Sequence, residues 1–301
     1  MYICLQKKNK IVIKRIFLIT FLFFVCVINA QLSDLARLEY SFIPKNKSDD
    51  QFTRIKALVN YPIEIKKEAY ILVGAEYNSI FLNLNDQYPF DKTRIENLTI
   101  LDINLGYTFM LNETWRAGFK ITPRLASTLS EKITGDDLFL NGGMFFVKDR
   151  TEDKSIKKPY RLILGLTYNT TTGIPFPLPF VSYFRQVNES WSFNASVPKT
   201  NVKYKINDKN MLQTFVGIDG YFAHLQRPIT ILDQEAENVS LSVVVSGFGF
   251  EHFFTKHLVL YAYSGYTLRM NNVLRDKDRE NVFTLDKVNA FYLRTGIKFK
   301  I

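Results

Sequence analysis

From Leu101 to Leu111 the chain alternates with a period of two. Leu101, Ile103, Leu105, Tyr107, Phe109 and Leu111 fall on one side of an extended backbone, and Asp102, Asn104, Gly106 and Thr108 on the other. Successive side chains of a β-strand point to opposite faces, so this stretch reads as one strand with an apolar and a polar face. After a short polar turn the pattern resumes: Trp115, Ala117, Phe119, Ile121 and Leu125 oppose Arg116, Gly118, Lys120, Thr122 and Arg124. The turn itself recurs, "LNETW" at 111–115 returning as "VNESW" at 187–191. The same alternation marks 36–42, 55–61, 69–77, 160–168 and 191–197. Strands are predicted at 36–43, 52–63, 68–80, 98–111, 114–128, 137–149, 160–169, 179–187, 190–197, 200–206, 210–222, 239–254, 257–270 and 288–301. That is fourteen, or twelve if 190–206 merges and one weak edge drops out. A spacing of two excludes amphipathic helices.

The connections alternate in character. Short turns at 65–68, 111–114, 187–190, 207–210 and 255–257 are separated by long polar loops at 81–97, 170–178, 223–238 and 271–287. Two connections break the rule: 149–159 is long where a short one is due, and 198–199 is short where a long one is due. Short turns at one rim and long loops at the other is the asymmetry of outer-membrane barrels, with the short turns periplasmic. A tilted strand needs about 9–11 residues to cross the hydrocarbon, and several of these reach that length. No edge can stay unpaired in lipid, so such a sheet must close. The expected fold is therefore all-β: a closed antiparallel transmembrane β-barrel of 14 strands, with 12 as the alternative. The tryptophans after the repeated turns are expected at the membrane interface, where an indole buries its ring and keeps its N–H wet.

The first 30 residues change the reading of charge. Lys7, Lys8, Lys10, Lys14 and Arg15 precede an apolar run from Ile16 to Ile28 and a small residue, Ala30. This predicts a signal peptide over 1–30 and export of a barrel domain over 31–301, since a run this short does not span a bilayer. Five of the 39 basic residues lie in the leader, so half of the formal charge of +10 goes with it. The charge argument for nucleic-acid binding then weakens, and no nucleic-acid partner is expected. Both cysteines, Cys4 and Cys26, also leave, which excludes disulfides, thiol nucleophiles and cysteine-metal sites from the exported chain.

The polar strand faces place Arg37, Glu39, Arg54, Lys56, Glu76, Asp102, Arg116, Lys120, Arg124, Arg161, Arg294 and Lys298 toward the lumen. They would either pair with one another and fill a narrow barrel, or line a water-filled passage attractive to anions. The stretch "TGIPFPLPF" holds Pro175, Phe176, Pro177 and Pro179. Proline gives a ladder no donor, so this piece is expected outside the sheet or on its rim, as a candidate loop constriction. Catalysis finds little support. There is no G-x-S-x-G elbow among three histidines. An outer-leaflet lipid enzyme would need a pair such as His224 with Ser182 or Ser242, and nothing in the spacing selects one. No catalytic residue, cofactor or metal site is expected; Asp49-Asp50 and Asp136-Asp137 read as solvated turn residues.

The C-terminal strand "RTGIKFKI" carries Arg294, Gly296, Phe299 and Ile301 in the pattern polar, spacer, glycine, two spacers, apolar, spacer, apolar. It resembles the terminal targeting strand of outer-membrane barrels, ending on isoleucine instead of an aromatic residue. The resemblance implies recognition by the outer-membrane barrel assembly machinery. As a whole, 31–301 resembles the uncharacterised outer-membrane β-barrel families grouped as domains of unknown function. The expected function is a passive or gated channel for small solutes or apolar molecules in the cell outer membrane, surrounded by its lipid. The alternative is a closed barrel that interacts through its loops. Neither a solute nor an oligomeric state follows from the sequence.

Overall fold

The computed structural model describes residues 34–153, 155–170 and 176–300; the expected signal peptide, Pro175 and Ile301 lie outside them. Fifteen strands form one sheet: β1 (Ala36–Ile43), β2 (Gln51–Lys66), β3 (Ala69–Asn83), β4 (Asn97–Met110), β5 (Trp115–Ser127), β6 (Leu138–Asp149), β7 (Tyr160–Asn169), β8 (Phe176–Gln186), β9 (Trp191–Ser196), β10 (Lys199–Asn207), β11 (Asn210–Ile231), β12 (Gln234–Phe253), β13 (Leu258–Arg275), β14 (Asn281–Thr284) and β15 (Phe291–Phe299). Each strand pairs antiparallel with its sequence neighbour, and β15 pairs with both β13 and β1. β14 pairs only with β13, as a flap in a loop. The wall is thus a closed barrel of fourteen strands, and β9 and β10 remain two strands instead of merging.

The outward face is the apolar one: Val59, Val73, Leu105, Ile121, Leu166, Val216 and Leu293 are all exposed. The repeated turn has one geometry at both places. Asn112 Oδ1 accepts the backbone N–H groups of Thr114 and Trp115, both at 3.0 Å. Asn188 Oδ1 accepts those of Ser190 and Trp191 at 3.0 and 2.8 Å. Leu111 and Val187 each donate a backbone bond of 2.9 Å to the carbonyl of the tryptophan. Thr255 closes a third such turn, its hydroxyl accepting from His257 and Leu258. A short side chain that bonds the backbone ahead of it makes these tight turns, and asparagine and threonine both can. Trp191 packs against Tyr204 at this rim, ring centres 4.8 Å apart and the planes tilted by 47°.

The opposite rim departs from expectation. Residues 223–238, expected as a polar loop, continue β11 and β12 into a long hairpin. Its tip is a two-residue turn at Leu232 and Asp233, both with positive φ. The hairpin leaves the wall and folds across the mouth. His224 of β11 forms a parallel bridge with Ser127 of β5, nearly opposite in the ring. Its two faces are both buried: Tyr221 stacks on Phe52 (5.9 Å) and Phe222 meets Phe139 edge-on (5.5 Å). The main apolar core lies here, where Ile43, Ile80, Leu98 and Ile100 on the wall meet Ala223, Leu225, Ile229 and Ile231 on the hairpin. Below it the lumen is polar.

Candidate functional site

The lumen beneath the hairpin is where the polar faces of the wall converge, so the candidate site is built from strand parity and register. β11 carries Asp219 at the point where it bends inward. Its carboxylate accepts from both terminal guanidinium nitrogens of Arg54 on β2, at 2.9 and 2.7 Å, from the Tyr292 hydroxyl at 2.9 Å, and from Arg294 on β15. Glu39 on β1 lies 3.5 Å from Arg294 and 4.0 Å from Arg54, and accepts the Tyr261 hydroxyl at 2.7 Å. This network ties the seam β2–β1–β15 to β11 straight through the lumen. Gly296 makes room for it: a Cβ there would sit 2.5 Å from the Leu38 carbonyl and 2.6 Å from the Tyr261 hydroxyl. A second node lies nearer the short-turn rim, where Glu251 Oε1 accepts from Lys203, Gln213, Tyr263 and Lys298 at 2.8 to 3.3 Å.

The remaining charges expected in the lumen fall into local pairs. Lys56 bonds Glu76 at 3.0 Å, and Arg124 engages both oxygens of Asp102 at 2.7 Å. Arg37 lies 3.2 Å from Asp34 and 3.9 Å from Glu39. Arg116 and Arg161 sit near the short-turn rim, bonded to the Glu68 carbonyl and to Asp149. Of the nine cations among the twelve, Arg116 and Lys120 have no carboxylate within 4 Å among the described residues; Arg116 bonds the Glu68 carbonyl, whereas Lys120 is exposed to a cavity of about 160 Å³ bordered by Phe145 and Thr167. A larger cavity of about 270 Å³ lies under Tyr221, and Arg124 and Asn169 border both. Sequence reasoning missed Asp219, Glu251, Tyr261, Tyr263 and Tyr292. The available signal was a lone carboxylate inside an otherwise apolar strand, as in "VGIDGYF" and "FGFEHFF".

The proline stretch is placed differently from expectation. Pro177 and Pro179 belong to the β8 ladder, opposite Tyr168 and Leu166 of β7, and share the outward side with the exposed Val181. Phe176, Pro177 and Pro179 are exposed positions of this strand, within the sheet instead of in a loop. Closure comes from the β11–β12 hairpin instead, because that hairpin offers two apolar faces where β8 offers one. His224 lies in the hairpin, bonded through its backbone carbonyl to Thr128. Ser182 bonds Asn194, and Ser242 is buried opposite Gly220. Neither serine is joined to the histidine by a hydrogen bond among the described residues.

The inner strand of the hairpin is clamped by polar contacts at its irregular stretch between His224 and Ile229. The Gln226 amide donates to Asp137 at 2.7 Å and to the Lys132 carbonyl at 3.3 Å, while its oxygen accepts the Glu131 backbone N–H at 2.6 Å. Arg227 pairs with Glu131, and Arg94 donates to the Pro228 carbonyl at 2.7 Å. Burial pushes the Asp137 carboxyl up. Hydrogen bonds from Ser127, the Thr134 backbone and Gln226, with His224 nearby, outweigh that and hold it below the ordinary carboxylate range. A depressed pKa means this clamp is at full strength above the ordinary carboxylate pKa and is lost as pH falls through the lowered value. Hairpin opening should therefore rise only in acid, below the ordinary carboxylate range. Asp137→Asn should show the acid behaviour already at neutral pH, read as lost amide protection across 222–238 relative to the wall strands. Relative protection independent of pH would refute this.

A family model described as "Domain of unknown function (DUF6268)" matches residues 39–300. Among solved structures, the chain is similar to a KdgM porin (7% identity, TM-score 0.37, covering 88% of this chain and 99% of that one). It is also similar to a NanC porin (13%, 0.38, 88% and 100%) and to LpxR from Salmonella typhimurium (7%, 0.40, 88% and 100%). Likenesses this weak carry no functional argument. No curated protein matches the chain.

Proposed function

The chain belongs to the family described as a domain of unknown function (DUF6268), and from that premise we propose an outer-membrane barrel whose lumen is a gated route for small solutes or apolar molecules. The observation that carries this reading is the inward hairpin. It seals the long-loop mouth with an apolar core, yet the lumen below keeps two water-sized or larger cavities. The outward apolar belt supports placement in a bilayer, since exposed aliphatic and aromatic residues in such number would be costly in water. A plug held at 227–228 by exposed polar contacts is cheap to release there. Surface ion pairs such as Arg227–Glu131 contribute only about 0–1 kcal/mol. Under this reading the partners are the lipid around the wall and the assembly machinery that would recognise Arg294, Gly296 and Phe299 on β15.

The test is conductance in planar bilayers. The intact barrel should be silent at low voltage, and a variant whose residues 224–236 are replaced by a short glycine-serine turn should conduct in stable steps. Steady large conductance of the intact barrel would sink the gate. Silence of both proteins, each folded, would favour a closed barrel that transports nothing.

A further inference from the structure

The wall is not equally tall all round. β9 ends at Ser196, level with Ser182 of β8, and β10 begins at Lys199, level with Gly217 of β11. Above that level β8 runs on to Phe176, while β11 bends into the lumen. Two bonds close the top of the short hairpin: Val197 N–H to the Val181 carbonyl at 3.4 Å, and Ile218 N–H to the Pro198 carbonyl at 2.8 Å. Beyond them, among the described residues, no strand stands between β8 and β11. Among the described residues the wall has a gap there.

The chemistry of the two edges suits contact with lipid. The backbone groups of Val181 point toward β9, so those of Pro179 and Pro177, two and four positions away, point into the gap. Both lack an N–H, the group most costly to leave unpaired in hydrocarbon. On the other side the Gly220 N–H has the parity of Ile218 and also faces the gap; the Asp219 carboxylate takes it at 2.8 Å. Edges stripped of donors in this way are a poor template for an added peptide strand, which argues against a protein partner.

The gap leads inward. Pro198, Ile218 and Gly220 border it and also line the 270 Å³ cavity, which adjoins the smaller cavity holding Lys120. The other cations there, Arg54, Lys56 and Arg124, are matched by Asp219, Glu76 and Asp102. Lys120 is the surplus charge. Phe176 and Leu178, both exposed, give the rim of the gap an apolar border. A pocket for a whole drug-sized ligand measures roughly 300–1,000 Å³, so these cavities fit a head group and its first methylenes, with the tail left outside.

We propose that the barrel takes the head group of a single-chain anionic amphiphile from the surrounding leaflet, through the gap between β8 and β11, to Lys120. The inference rests on the membrane placement proposed above but not on the gate.

The purified full chain in nanodiscs should bind the fluorescent carboxylate dansylaminoundecanoate saturably. Oleate should compete and the neutral oleyl alcohol should not. Lys120→Gln should weaken binding about tenfold or more, the scale of one charge-assisted hydrogen bond, and Lys120→Arg should restore it. Ile218→Trp, at the gap but remote in sequence from Lys120, should also weaken it. Folding of each variant is checked by heat-dependent migration on gels. Equal affinity in Lys120→Gln, or equal competition by the alcohol, overturns the anionic head group. Unchanged binding and uptake rate in Ile218→Trp overturns the path. A barrel that is silent in bilayers but binds no probe overturns this inference and leaves the gate standing; one that conducts steadily and binds overturns only the gate.

Discussion

Asp219→Ala should destabilise the folded barrel by about 3–5 kcal/mol, the cost of removing one partner from a buried ion pair. The reason is what it strands. Arg54 is almost wholly buried, and in the variant its guanidinium keeps only Glu39 at 4.0 Å. Arg294 and Tyr292 lose the same acceptor. A carboxylate shared by three donor side chains is not replaced by a relaxed side chain, because those side chains come from strands on either side of the closing seam and cannot all move. Asp208→Ala is the comparison: that carboxylate is exposed in a turn and pairs only with Lys205. Urea unfolding in micelles, followed by the fluorescence of Trp115 and Trp191, should show a large drop in midpoint for the first variant and almost none for the second. Equal midpoints would mean that the lumenal network contributes no net stability.

Phe222→Ala should undock the hairpin while leaving the wall closed. Phe222 has the parity of Ile218, which faces outward, yet it is buried because β11 has turned over the mouth and pressed it on Phe139. Truncating a buried phenylalanine costs about 3–5 kcal/mol. Here that cost falls on docking, since β11 and β12 keep their own ladder whether or not the hairpin is seated. Amide exchange across 222–238 should quicken and single barrels should begin to show bursts of current, with urea stability of the wall little changed. Leu232→Ala, at the exposed tip, should do neither. If Phe222→Ala unfolds the wall together with the hairpin, plug and barrel are one cooperative unit and the gate fails as a separate part.

The wall was legible in the sequence because a strand buried on one side writes its geometry as alternation. The ladder of "LDINLGYTFML" against "WRAGFKITPRL" follows from that pattern and one turn. The plug was not legible for the opposite reason. Tyr221, Phe222 and Ala223 are all buried, so the stretch has no period of two. Its turn gives no sign either, since Leu232 at positive φ is a residue no turn rule favours. The prolines show a third case. That they deny donors to a ladder is a local fact, and it was right; which edge of β8 is free depends on how short β9 and β10 are, and that is not local. For the lumen, parity put twelve charges on one face, but their partners required register. Asp219, fixed by Arg54 across the barrel, could only be found once both were known.

The six residues of β9 hold the shortest place in the wall. Every other part of the cylinder is stapled to its neighbours over a longer stretch, so thermal excursions of the backbone should begin here and die out around the circumference. The cylinder therefore has a soft side and a stiff side, with the soft one beneath the proline-bearing margin and the stiff one along the crossing salt links. An enclosure built this way can breathe at one flank without coming apart.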